Sequence, residues 1–119
     1  MGRKKVLDAP IRVISVIRGY DPFGHSHKML KAKHYLVRGR VQGVGYRYFA
    51  LEAAERRGIR GYVRNLPGGE VEVRAEADES ALELFKQELE RGPGMARVTE
   101  IVENDLPVSG SYSSFLIRG

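Results

Sequence analysis

The sequence predicts an α+β fold: a split βαβ sandwich in the order β-α-β-β-α-β, with two helices on one face of an antiparallel sheet. Three observations carry that reading. Glu70–Ala77 (EVEVRAEA) alternates polar and apolar residues without a break, the mark of a strand with one face on a core. Tyr46–Arg57 and the stretch ending at Arg91 are rich in Ala, Leu and Glu and place apolar residues at helical spacing. Clusters of glycine and proline then punctuate the chain where one element must stop and the next begin.

The elements follow in order. Residues 1–32 show no steady period. Ile11–Ile17 (IRVISVI) suits a short strand, though Asp8, Pro10, Arg12 and Arg18 crowd it, and Tyr20–His27 reads as a loop. A boundary is expected near Lys31–Lys33, giving a basic N-terminal extension (1–33) and a folded domain (34–119). Tyr35–Val41 is a strand candidate that runs into Gly43 and Gly45. Tyr46–Arg57 is a helix, stopped by Gly58. Ile59–Asn65 is a second strand, and Leu66-Pro67-Gly68-Gly69 is a turn. In the strand that follows, Val71, Val73, Ala75 and Ala77 face the core, while Glu70, Glu72, Arg74 and Glu76 face water. Asp78 or Ser80 caps the second helix, whose stripe is Leu82, Phe85 and Leu89. Gly92-Pro93-Gly94 ends it. Arg97–Asn104 is a fourth strand, and Phe115–Arg118 a short fifth. This order is the ferredoxin-like arrangement, which hosts many activities and names none.

Composition narrows the chemistry. The 119 residues suit one core, and 42% hydrophobic with 29% charged residues is a globular balance. With no Cys, the chain forms no disulfide, no Cys-ligated metal site and no thiol nucleophile. No apolar run reaches the roughly 20 residues of a membrane span, so no membrane association is expected. No clean apolar run follows the basic start, so the cytoplasm is the expected location; the Arg-rich, acid-poor arm leaves a transit peptide open. The net charge of +5 is uneven: residues 1–34 carry eight bases and two acids, whereas the remainder carries twelve bases and thirteen acids. The excess sits in the extension, read as a solvated arm.

Two motifs carry candidate chemistry. Gln42-Gly43-Val44-Gly45-Tyr46-Arg47 joins a strand to a helix. Such a loop can aim backbone N–H groups at one point, where the helix N-terminus adds positive charge. Arg47 in the first turn is electrostatically misplaced unless it reaches back to grip the same anion. A plain glycine turn with a solvated Arg fits the same spacing, and a lone G-x-G by itself favours that plainer reading. In the second motif, Asn65 falls where a strand meets its turn. It either hydrogen-bonds its own turn or holds a water with its neutral amide.

Together, VRGRVQGVGYR (Val37–Arg47) and GYVRNLPGGEV (Gly61–Val71) resemble the two signatures of the acylphosphatase family, in order and at the family's separation. The resemblance covers roughly residues 34–119. It departs from the family pattern at Tyr46, where Phe or Met is usual, and at Ala77, where Gly is usual. The resemblance implies hydrolysis of acyl phosphates to a carboxylate and inorganic phosphate, the latter also a competitive inhibitor, with no metal and no cofactor. It implies Arg47 and Asn65 as catalytic residues and the backbone N–H groups of Gln42, Gly43, Val44, Gly45, Tyr46 and Arg47 as the phosphate cradle.

Other features point elsewhere less well. His25 and His27 lack the further ligands of a zinc site, so no metal is expected. Tyr48 and Phe49 are expected in the core. An RNA-binding module shares this strand order, but residues 70–77 offer no aromatic and three outward acids, so nucleic acid is not expected as a partner. A domain that binds anions without turnover is another reading, against which stands the presence of both Arg47 and Asn65. A monomer is expected.

Overall fold

The computed structural model describes residues 29–119. The strand expected at Ile11–Ile17, the loop at Tyr20–His27 and the His25/His27 pair lie outside the described residues. The elements are β1 (Leu30–Arg40), α1 (Tyr46–Arg56), β2 (Arg60–Asn65), β3 (Val71–Asp78), α2 (Glu79–Arg91), β4 (Arg97–Leu106) and β5 (Phe115–Arg118). One sheet holds the strands in the order β4-β1-β3-β2-β5. Neighbours are antiparallel except β2 and β5, which are parallel. This is the expected ferredoxin-like arrangement with β5 added at the edge.

The first strand starts at Leu30, well before Tyr35. Its early residues read poorly as strand because Lys31 and Lys33 interrupt the apolar pattern. The ladder supplies what that pattern lacks: Leu30 pairs with Asp78, and Lys33 lies between Ala75 and Asp105. The Lys33 ammonium is held by Glu103 at 2.8 Å and Asp105 at 2.5 Å.

Both helix ends follow local rules. Gly58 N–H donates to Glu55 O and Ile59 N–H to Ala54 O, the paired reverse bonds of a Schellman stop, and Ile59 is buried behind them. Asp78, rather than Ser80, caps α2: its carboxylate accepts from Ala81 N–H at 3.0 Å. The core lies between the helices and one sheet face. Leu82, Phe85 and Leu89 are buried there as the stripe predicted, and burying each contributes roughly 1.5–3 kcal/mol. Phe85 meets Tyr35 and Phe115 edge-on, with centroids 6.2 and 6.0 Å apart. Glu88 of α2 is buried too, and accepts from Arg56 at 2.5 Å and Arg57 at 2.7 Å, which ties the end of α1 to α2.

The other sheet face corrects an expectation. Glu72 and Glu76 do not stand open to water. Glu72 pairs with His34 and Arg64. Glu76 is only 5% exposed. The connection from β4 to β5 must pass from one edge of the sheet to the other, and it fastens to Glu76 on the way. Ser109 N–H and Oγ donate to Glu76 Oε2 at 3.0 and 2.9 Å, Gly110 N–H to Oε1 at 3.2 Å, and Arg74 Nη2 to Oε2 at 2.7 Å. Arg74 also stands 5.4 Å over the Tyr112 ring. Two of the three acids that seemed set to repel a polyanion, Glu72 and Glu76, are therefore already engaged by cations and amides.

Burial pushes the Glu76 carboxyl up, but the donors from Ser109, Arg74 and Gly110 outweigh it and hold the group at about 2, against an ordinary 4.5. The folded value is the lower one, so this contribution is complete above about pH 4.5 and is lost as pH falls toward 2. Glu76→Ala should cost about 3 kcal/mol near neutral pH, because Arg74 and two backbone donors lose their partner. Urea titrations should show that gap shrinking as the pH is lowered toward 2. A gap independent of pH would contradict the account.

Candidate active site

The site begins where β1 ends. Val41 is buried, and the chain then turns through Gln42–Gly45 into α1. Gly43 and Gly45 both have positive φ, 74° and 79°. A Cβ at either would meet open space, so glycine is needed there for its dihedrals and not for lack of room. Val44 between them packs against the core and anchors the middle of the loop.

Gly45 is the N-cap of α1, with no side-chain cap and no acid in the first turn. The second helix has both, in Asp78 and Glu79. Among the described residues, no backbone N–H from Gln42 to Tyr48 donates to a backbone or side-chain acceptor; the first that does is Phe49, to Gly45 O at 3.1 Å. The Arg47 guanidinium is likewise without an ion pair or hydrogen-bond partner among the described residues. Unsatisfied N–H groups at a helix start, joined by the helix dipole and a free guanidinium, form a local concentration of donors and positive charge.

Asn65 is the last residue of β2. It pairs with Val71, which pairs in turn with Val37. Cross-strand partners share a face, and Val37 and Val71 are buried in the core, so Asn65 points to the helix side. Its Oδ1 is buried with no hydrogen-bond partner among the described residues. Such an acceptor costs about 1–3 kcal/mol unless something outside the chain donates to it. Its neighbour Arg64 turns to the opposite face, onto Glu72 and Tyr62.

One side chain joins the two motifs. Gln42 Nε2 donates to Leu66 O and to Glu70 O, each at 2.8 Å. The loop is thereby fixed against the hairpin that follows Asn65. The sequence marked Gln42 for its backbone N–H alone, since a Gln before a glycine loop reads the same whether its amide meets solvent or a carbonyl. His34, the one His among the described residues, lies on the far face with Glu72. A cavity of about 310 Å³ beside α2 shares no residue with the loop. Glu79, Glu83, Glu90 and Glu103 line it against two lysines, the wrong sign for a phosphate. Among the described residues no group of three or more His, Asp or Glu is placed to hold a metal, and no helix is long and apolar enough to cross a membrane.

The aromatic expectations divide. Tyr48 is 68% exposed, because the core face of α1 is set by Tyr46, Ala50, Ala53 and Ala54, and Tyr48 falls about 200° around from Tyr46. Phe49 is half-buried against Tyr46. Tyr46 is fully buried, and its hydroxyl donates to Leu89 O at 2.6 Å. The helical partner of that carbonyl would be residue 93, a proline with no N–H. The Tyr46 hydroxyl therefore supplies the missing donor and pins the start of α1 to the end of α2.

An acylphosphatase family model matches residues 33–117. An acylphosphatase of Methylococcus capsulatus is 42% identical over 88 residues, 74% of this chain and 96% of that one. One from Thermus thermophilus is 56% identical over 66 residues, 56% of this chain and 75% of that one. Among solved structures, the acylphosphatase from Bacillus subtilis superposes with a TM-score of 0.73 at 36% identity, covering 76% of this chain and all of that one.

Tyr46→Phe should lower stability by about 1–2 kcal/mol, the cost of leaving the Leu89 carbonyl buried without its donor. Denaturant midpoints of the two proteins test this, and equal midpoints would mean that the bond contributes nothing.

Proposed function

This chain belongs to the acylphosphatase family, and from that premise we propose that it hydrolyses acyl phosphates at the Gln42–Arg47 loop, with Arg47 binding the phosphoryl group and Asn65 aiming the water. The observation that carries the reading is the run of backbone N–H groups from Gln42 to Tyr48 without an acceptor among the described residues, at a helix start that no acid caps. A phosphate dianion offers oxygens to that run and charge to the dipole.

The chemistry asks for little more. Water attacks phosphorus, the phosphorus–oxygen bond to the acyl group breaks, and that electron pair leaves on the carboxylate. One water proton stays on the phosphate and the other goes to solvent. The carboxylate is a stable leaving group and needs no general acid. Charge in the loose transition state spreads over the three equatorial oxygens. Fixed amides and a guanidinium directed there lower the barrier without reorganising. The buried Asn65 Oδ1 supports the water-positioning role, since a bound water can donate to it. An amide is also neutral, so it brings no negative charge beside the phosphate.

Benzoyl phosphate hydrolysis tests this directly. Arg47→Ala should lower kcat/KM by about 100- to 1,000-fold, the loss of roughly 3–4 kcal/mol of transition-state binding, and should weaken inhibition by inorganic phosphate. Asn65→Ala should lower kcat and leave phosphate inhibition nearly unchanged. A rise in KM alone for Asn65→Ala would end the water-positioning role. Absence of phosphate release by the unaltered protein would leave an anion-binding module.

A further inference from the structure

We infer that the Gln42 side chain is a positioning residue that sets the separation between the phosphate loop and the water held by Asn65. The inference rests on the proposed roles of loop and Asn65. Its ground is where the two bonds of Gln42 end. Leu66 O belongs to the residue after Asn65, and Glu70 O to the residue before Val71, the ladder partner of Asn65. The amide thus grips the hairpin on both sides of its turn, one residue beyond the rung that carries Asn65. Both Nε2 hydrogens are used, each over 2.8 Å. Glu70 O also accepts from Leu66 N–H at 2.9 Å, so the same oxygen closes the hairpin and receives the loop.

The loop needs such a tether. Gly43 follows Gln42 directly, and two glycines are the most permissive hinges a backbone has. Val44 holds the loop down onto the core. Among the described residues, no other side-chain hydrogen bond links the loop sideways to the hairpin. In-line attack requires the water and phosphorus to meet at a fixed distance and angle, and a displacement of about 1 Å can cost about 100-fold in rate. Loss of the tether leaves donors and guanidinium in place, so phosphate should still bind while its alignment with the water suffers.

The test is a double-mutant cycle on the full chain, with Gln42→Met, Asn65→Ala and the pair. Met keeps the length, removes both donors and adds no charge beside the phosphate. Benzoyl phosphate kinetics, inhibition by inorganic phosphate and thermal melting are read for each. Gln42→Met is expected to lower kcat about 10- to 100-fold, and to move phosphate inhibition less than about threefold. In the Asn65→Ala background the same change should cost less than about threefold, because there is no aimed water left to misplace. An undiminished loss in that background, a parallel loss of phosphate affinity, or an unchanged kcat each overturns the inference. Should Gln42→Met melt below the assay temperature, Gln42→Asn, whose donors fall one methylene short of both carbonyls, must show the same coupling. If Asn65→Ala alone leaves kcat intact, the underlying reading of Asn65 has failed; if it lowers kcat and no coupling is seen, only the tether has.

Discussion

A chain that folds must find acceptors for its backbone N–H groups, and among the described residues this one leaves a consecutive run without any at the start of α1. That debt organises the site. It persists because Gly43 and Gly45 take left-handed dihedrals that turn the chain out of the sheet and into a helix with no side-chain cap. The contrast with α2 is instructive, since the chain caps that helix with Asp78 and follows it with Glu79. The acid omitted at α1 is the charge a phosphate would bring under the proposed function.

Much of the remaining fold keeps that loop and β2 in fixed relation. Gln42 acts at closest range, on the carbonyls around the Asn65 rung. Tyr46 holds the first turn of α1 onto the last turn of α2, and Glu88 holds the other end through Arg56 and Arg57. On the opposite face, Glu76 secures the connection that delivers β5 to the sheet edge. β5 is short, yet it pairs along β2 and buries Phe115 against Phe85. The strand that ends in Asn65 is thereby flanked on both sides as far as Arg64, and Asn65 itself is held by its pairing with Val71.

Where the sequence was legible, a local rule was enough. The alternation in 70–77 and the stripe Leu82, Phe85, Leu89 each report one face of one element. Three places resisted, the first being the face of Glu72 and Glu76, which reads as solvated and is engaged by cations and amides. Lys31 and Lys33 hid the first residues of β1, and the counter-charges that settle Lys33 come from β4 about 70 residues away. Tyr48 was expected inside, because proximity to Ala50 and Ala53 in the chain says less than angle around the helix.

The sequence by itself determined the order of elements, the glycine loop before a helix, and the two motifs with Arg47 and Asn65 in them. Those are properties of contiguous residues: periodicity, dihedral demand and spacing. Only the tertiary structure decided that Gln42 reaches the carbonyls beside Asn65, that Asn65 Oδ1 is sealed without a partner among the described residues, that Tyr46 completes the carbonyl Pro93 cannot serve, and that Glu76 is a clamp and not a surface charge. Each of these is a meeting between residues at least 24 positions apart, or a burial that depends on one. A hydrogen bond acts within about 3 Å, so it exists only once the chain has brought both ends together, and no pattern along either segment announces its partner.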